Sequence, residues 1–163
     1  MIVREQKIAL KKGTIGLISD THGLVRPQAL AALKGVDVIV HAGDIGKSEV
    51  LEELRKIAPL YVIRGNNDRD SWGKSLPDIL KLRCGEIRIQ VIHNVHDLAE
   101  NTGADYDAII SGHSHKPGIQ TRDGTLYVNP GSAGPRRFKL PIAVGKLRIS
   151  GRQLEAELVE LNV

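Results

Sequence analysis

Five short apolar runs in this chain end abruptly in Asp, Asn or His, and that repetition constrains the fold more than any other feature. The first run, Ile15 to Ile18, breaks into Ser19-Asp20-Thr21-His22-Gly23. A run so short and so evenly apolar fits a strand buried on both faces, as in a parallel sheet. VDVIVHAGD closes on His41-Ala42-Gly43-Asp44, and LYVIRG leads into Gly65-Asn66-Asn67-Asp68. IRIQVIH ends at His93, and DAIISGHSH ends at His113 and His115. One Asp-x-His pair after a strand is a weak signal, because many turns carry Asp and His for turn chemistry or solvation. Five such ends would bring their side chains to one edge of a sheet.

The segments between them fit that arrangement. Pro27 opens a helix, PQALAALK, with Gly35 as its stop. Ser48 is the expected N-cap of SEVLEELRKIA, whose Val50, Leu51, Leu54 and Ile57 fall on one face before Pro59 ends it. Strand alternating with helix predicts right-handed βαβ units and a parallel sheet. After Pro77 the pattern becomes β-rich. ILKLR and IRIQVIH form an expected antiparallel pair around Cys84-Gly85-Glu86, and DLAENTG an expected short helix. Hairpins are predicted at Asp123-Gly124 and at Ser150-Gly151. Asn129-Pro130-Gly131-Ser132 is a turn, followed by the basic loop Pro135-Arg136-Arg137. Residues 1–12 leave two choices open, an edge strand or an extension that packs on a partner. No repeat or linker divides the 163 residues, so a single domain over 1–163 is expected, with the two halves sharing one site.

Composition removes several functions. At 41% hydrophobic and 26% charged residues, the chain has an ordinary globular balance. Aromatics make up only 3%, too few for a base-stacking platform. The net charge of +4 is spread along the chain, so no dedicated nucleic-acid surface is evident. A single cysteine, Cys84, excludes a disulfide framework or a thiolate zinc cluster. No leader-like h-region or membrane-length apolar run is present, which makes a cytoplasmic protein the expectation.

The strand ends supply Asp20, His22, Asp44, Asn66, His93, His113 and His115: two carboxylates, one amide and four imidazoles. Seven ligands are too many for one zinc, which four usually satisfy. They suit two divalent transition ions about 3.5–4 Å apart that share a carboxylate. Mixed imidazole and oxygen ligation admits manganese, nickel, zinc, iron or cobalt, with manganese preferred. His113 and His115 are spaced by two, so on a regular strand both would point to one face.

In that order, Asp20-x-His22, Gly43-Asp44, Gly65-Asn66-x-Asp68, His93 and Gly112-His113-x-His115 resemble the calcineurin-like metallophosphoesterase superfamily. The length and the Asn129-Pro130-Gly131-Ser132 turn before Pro135-Arg136 resemble its small prokaryotic phosphodiesterase branch. The resemblance spans residues 14–137 and implies an α/β fold, a four-layer α-β-β-α sandwich of two mixed sheets flanked by helices. It implies that Asp20, His22 and His115 hold a first metal, that Asn66, His93 and His113 hold a second, and that Asp44 bridges them. It also makes Asp44, Asn66 and His93 catalytic, and places Asn67 and Arg136 against a small phosphoester substrate. The implied reaction is hydrolysis of a phosphodiester by in-line attack of metal-activated water.

Several residues have plainer readings. His41 precedes Gly43-Asp44 and suits a buried role behind the ligands. Asp68 either holds the Asn66 loop or orients His22. His93 is followed by Asn94 where the family often has glycine, and His96 is a competing imidazole best read as a solvated helix start. Asn67 stands where larger members carry a histidine that protonates the leaving group, so good leaving groups should react best. The alternatives are a phosphomonoesterase or nuclease of the same chemistry, or a weakly active scaffold like the small retromer-coat subunit, which resembles the same family. Full ligand integrity argues against the scaffold. No membrane partner is expected, and homo-oligomerisation is left open.

Overall fold

Alternating side chains divide the strands between two interiors. The structure, a computed structural model, describes residues 1–163. Five strands form one sheet: β2 (Lys12–Ile18), β3 (Val38–His41), β4 (Leu60–Val62), β10 (Ala143–Ser150) and β11 (Gln153–Glu160), in the order β11-β10-β2-β3-β4. Six strands form the other: β1 (Val3–Ile8), β5 (Ile79–Cys84), β6 (Ile87–Ile92), β7 (Ala108–Ile110), β8 (Gly118–Arg122) and β9 (Thr125–Asn129), in the order β1-β5-β6-β7-β9-β8. Both sheets are mixed. Ile15 and Leu17 of β2, Val38 and Val40 of β3, and Leu147 and Ile149 of β10 face Leu80, Leu82, Ile89, Val91 and Ile110 in one core. The other face of the five-stranded sheet presents Ile18, Ile39, Val62 and Val144 to the helices α1 (Pro27–Leu33) and α2 (Ser48–Arg55). Gly16 lets α1 approach, since a Cβ there would sit 2.7 Å from Leu33 Cδ2. Leu33 and Leu54 are fully buried in this second core, and truncating either to Ala would cost about 2–5 kcal/mol.

The pairing places the ligand-bearing ends together. β2, β3 and β4 run parallel in one sheet, as do β6 and β7 in the other, and all five carboxyl ends lead into the Asp, Asn and His motifs. A crevice outside the carboxyl ends of parallel strands is the usual ligand position in such sheets.

The hairpins at 84–87, 122–125 and 150–153 follow the sequence. Residues 1–12 form an edge strand: β1 pairs in parallel with β5 from Val3↔Ile79 to Ile8↔Cys84. The segment expected as a short helix, DLAENTG (97–103), is not helical along its length; it is flanked by 3₁₀ turns at Val95–Asp97 and Thr102–Asp105 that overlap only its ends. It is polar and without apolar periodicity, and the Asn94 side chain accepts from His96 N–H to start the first turn. The two helices longer than four residues, α1 and α2, both pack with the five-stranded sheet. Ser48 is the first residue of α2 rather than its cap, because Lys47 takes the extended N-cap conformation and no side chain bonds the open N–H groups. No helix is long and apolar enough to cross a membrane.

Candidate metal centre

The ligand motifs begin where each strand stops, and the backbone there turns left-handed. Asp20, His22, Asp44, His113 and His115 have φ of 53°, 46°, 57°, 69° and 63°. Such angles are uncommon outside glycine and occur where surrounding structure enforces them. The glycines beside them allow the loops to interlock: a Cβ on Gly65 would collide with the Asp44 carboxylate, and one on Gly112 with Ser19 Oγ.

Two groups of ligand atoms result. One joins Asp20, His22 and His115, the other Asp20, Asp44 and His93. Asp20 is fully buried; its Oδ2 accepts from Ser19 Oγ at 2.7 Å and from His113 N–H at 3.0 Å. Its Oδ1 has no hydrogen-bond donor, yet lies 3.4 Å from His115 Nε2 and 3.9 Å from both His22 Nε2 and His93 Nε2. Asp44 Oδ2 lies 3.3 Å from His93 Nε2 and 3.9 Å from His22 Nε2. The shared carboxylate of the two groups is thus Asp20, with Asp44 alongside and within reach of histidines from both.

The rings pair accordingly. His22 and His115 bring their Nε2 atoms within 3.4 Å of each other, and the His93 and His113 ring centroids are 5.3 Å apart. His113 and His115 do not lie on a strand, since β7 stops at Ile110. Left-handed angles at both residues separate them: His115 is buried beside Asp20, while His113 is exposed beside His93. The even spacing therefore separates the two imidazoles instead of aligning them on one face: His115 belongs to the first group, while His113 belongs to neither and meets only the His93 ring.

Electrostatics favour a cation here. Burial pushes the Asp20 carboxyl above its ordinary range, against the lowering pull of His93, Ser19 and His115. Burial also acts to raise Asp44, but the nearby His93, 3.3 Å from its Oδ2, and the Asn67 N–H outweigh it and hold the carboxyl at about 2. Burial opposes charge on His93, yet Asp44, the Ala42 carbonyl and Asp20 together raise its proton affinity. Burial lowers that of His115, with Asp20 opposing and Arg137 adding to the drop. The carboxylates thus draw protons onto His93, the place a metal ion would take. Asp20 Oδ1, His93 Nε2 and His115 Nδ1 are buried polar atoms without hydrogen bonds. A divalent ion would satisfy Asp20 Oδ1 and His93 Nε2, and His115 offers its Nε2 3.4 Å from that oxygen, so the residues fit metals.

Other residues hold the ligands. His93 Nδ1 is 2.7 Å from the Ala42 carbonyl, so it carries the proton and leaves Nε2 free as a ligand. His41 is wholly buried, and burial lowers its pKa to about 3. Its Nδ1 accepts from Gly43 N–H, so Nε2–H donates to Thr21 Oγ1, which in turn donates to the Ile45 carbonyl. Of the two roles open to Asp68, the structure shows the first: its carboxylate accepts from Ile45, Gly46 and Gly65 N–H, tying the Asp44 loop to the Asn66 loop. Asn66 is exposed and lines a cleft with His93. Asn67 donates to Asp44 through its backbone at 3.0 Å and its amide at 3.4 Å. Arg136 donates to the Leu140 carbonyl and is exposed, while the neighbouring Arg137 is the one whose charge reaches His115. His96 is exposed and outside both groups.

Sequence reasoning passed over three supports. Ser19 binds Asp20, Ser132 Oγ donates to the Asp20 carbonyl, and the Asn129 amide donates to the Gly112 carbonyl. The Asn129–Ser132 turn was the only signal for two of them.

The family model of the calcineurin-like phosphoesterase superfamily domain matches residues 14–152. A probable metallophosphoesterase of Methanothermobacter thermautotrophicus is 35% identical over 158 residues, covering 89% of this chain and 91% of that protein. A phosphodiesterase of Methanocaldococcus jannaschii is 27% identical over 138 residues, covering 72% and 82%. The solved structure of an archaeal phosphodiesterase superposes with a TM-score of 0.74 at 22% identity, over 90% of this chain and 99% of that one. With motif order, fold and sequence in agreement, this chain belongs to the calcineurin-like phosphoesterase superfamily, a family of metal-dependent phosphoesterases.

Proposed function

We propose that this chain is a dinuclear-metal phosphodiesterase acting on small phosphodiesters. The observation that carries the proposal is the joining of two ligand groups through one buried carboxylate, Asp20, whose Oδ1 and the facing His93 Nε2 have no hydrogen-bond partner. The His22–His115 and His93–His113 ring pairs support Asp20, His22 and His115 around one ion and Asn66, His93 and His113 around the other. Asp44, 3.3 Å and 3.9 Å from a histidine of each set, suits the bridging position. Manganese is the preferred occupant, and nickel, zinc, iron or cobalt also suit this donor set. When bound, two such ions supply an acidified water as nucleophile and positive charge against the phosphoryl oxygens.

The chain's own residues provide orientation. Ser19 Oγ and the His113 N–H fix one oxygen of Asp20 and aim the other inward. Asn67 holds Asp44 with two donors. An amide at that position cannot act as a general acid near neutral pH, so leaving groups that depart unprotonated suit this site. A phosphodiesterase among the sequence relatives supports diesters over monoesters.

The test is reconstitution with manganese followed by rates on p-nitrophenyl diesters and monoesters. The expected outcome is loss of activity in chelator, about two ions per chain, faster diester turnover, and rates that fall as the leaving-group pKa rises. Full activity in chelator or with one ion per chain, or a preference for monoesters, would overturn it.

A further inference from the structure

Beside Asn66 lies an open groove of about 440 Å³ lined by no apolar residue. Arg64, Arg69 and Lys74 line it together with Asp68 and Asp78. The two acids are engaged. Asp68 accepts from three backbone N–H groups. Asp78 binds Arg64 Nε at 2.8 Å and Nη2 at 3.0 Å, and also takes the Ile2 N–H at 2.7 Å. Arg64 is thereby neutralised and fixed, and it donates again to the Lys74 carbonyl.

Arg69 and Lys74 are different. Both are exposed, and neither makes an ion pair with any carboxylate. The Arg69 guanidinium is held by its Nε, which donates to the Asn66 carbonyl at 3.2 Å, and its two Nη groups remain without a partner. A fork with two free donors on the wall of the same groove as an ammonium suits a phosphate or carboxylate. A second cleft shares Arg64, Gly65, Asn66 and Asp78 with this groove and extends to His93. The free cations are thus continuous with the metal centre through Asn66, the residue common to both.

We infer that this groove is a substrate subsite, and that the natural diester carries a second anionic group, phosphate or carboxylate, bound by Lys74 and Arg69. The inference rests on the phosphodiesterase reading. An aryl diester with no charge beyond its phosphodiester would fill the metal centre alone and leave the groove to water. Lys74, at the end of the short helix α3 (Ser71–Lys74), makes no ion pair with a candidate ligand and belongs to neither ligand group, so it can be changed without altering the reaction itself.

The experiment uses the manganese-reconstituted enzyme and p-nitrophenyl diesters whose second arm ends in a carboxylate, a phosphonate, or the uncharged methyl ester of the carboxylate. Nitrophenolate leaves in every case, so only the arm differs. The expected kcat/KM is at least about tenfold higher for a charged arm, mainly through KM, and falls to that of the neutral arm in Lys74→Gln. Lys74→Arg should restore the preference, and the neutral substrate should react equally with all three proteins. Preference for phosphonate over carboxylate identifies a phosphate-bearing substrate, and the reverse a carboxylate-bearing one. Equal rates for charged and neutral arms in the unaltered enzyme overturn the subsite while leaving the phosphodiesterase reading intact. A Lys74→Gln loss that is the same on both arms also overturns it. Failure to turn over any diester removes the phosphodiesterase reading, and the subsite with it.

Discussion

Five candidate ligands occupy left-handed backbone angles, which for Asp and His cost energy that only a fixed surrounding recovers. At the residue scale this makes the site a set of imposed positions, each answerable to substitution. His115→Ala should abolish binding of one ion and His93→Ala the other, each leaving about one ion per chain by elemental analysis after reconstitution. Asp44→Asn should weaken both, because its Oδ2 faces a histidine of each group. If Asp44→Asn loses one ion while Asp20→Asn loses two, the bridge is Asp20, the carboxylate common to the two groups. The clustering of Asp20, His22, Asp44, His93 and His115 was legible in the sequence because each follows an apolar run that reads as a buried strand. The division of His113 from His115 was not, since it depends on two left-handed angles that spacing does not encode. The roles of Ser19 and Ser132 were not legible for a related reason: a serine in a loop has no periodicity, and its partner is set by tertiary contact.

At the scale of elements, the site is built by loops from separate strands that share few covalent neighbours. Asp68 is the tie between those after β3 and β4, accepting three N–H groups from Ile45, Gly46 and Gly65. Hydrogen bonds to a charged acceptor contribute about 1.5–3 kcal/mol each, though not additively. Asp68→Ala should therefore destabilise the fold by at least about 2 kcal/mol, lowering Tm by about 4–8 °C for a chain of this length. It should also weaken metal binding, since the Asp44 and Asn66 loops lose their common anchor. A variant with native Tm and native metal affinity would show that the loops hold themselves. The alternation of β2, α1, β3, α2 and β4 was legible because each period differs from the next. The parallel pairing of β1 with β5 was not, because about 70 residues separate the partners and no turn links them.

For the whole molecule, the consequence is a fold whose stability depends on both pH and metal. His41 joins the Thr21 and Gly43 segments as a neutral ring, with its pKa lowered from 6.5 to about 3 by burial. The unfolded chain takes up a proton on that ring below about pH 6.5 and the folded chain does not until about pH 3. The unfolded state then binds more protons across that window, so stability falls as pH drops through it. Asp44, lowered from 3.8 to about 2, adds loss of the same sign below pH 4. His93 acts the other way in the metal-free protein, because Asp44 and Asp20 raise its proton affinity and its contribution fades as pH rises. Urea unfolding in chelator at pH 7 and pH 5 separates these effects when repeated on His41→Gln, which removes the titrating ring. The unaltered protein should lose more stability on acidification than the variant does, and equal losses would show that His41 is not the acid-sensitive element. Metal adds a second dependence. At a concentration 100 times the dissociation constant, one site contributes about 2.7 kcal/mol, or about 5–11 °C in Tm at this size. Protons compete for the same imidazoles and carboxylates, so that gain should shrink steadily from pH 7 to pH 5. A metal-induced Tm gain that is constant over this range would mean the ions bind through groups that do not titrate there, and the histidine assignments would fall with it.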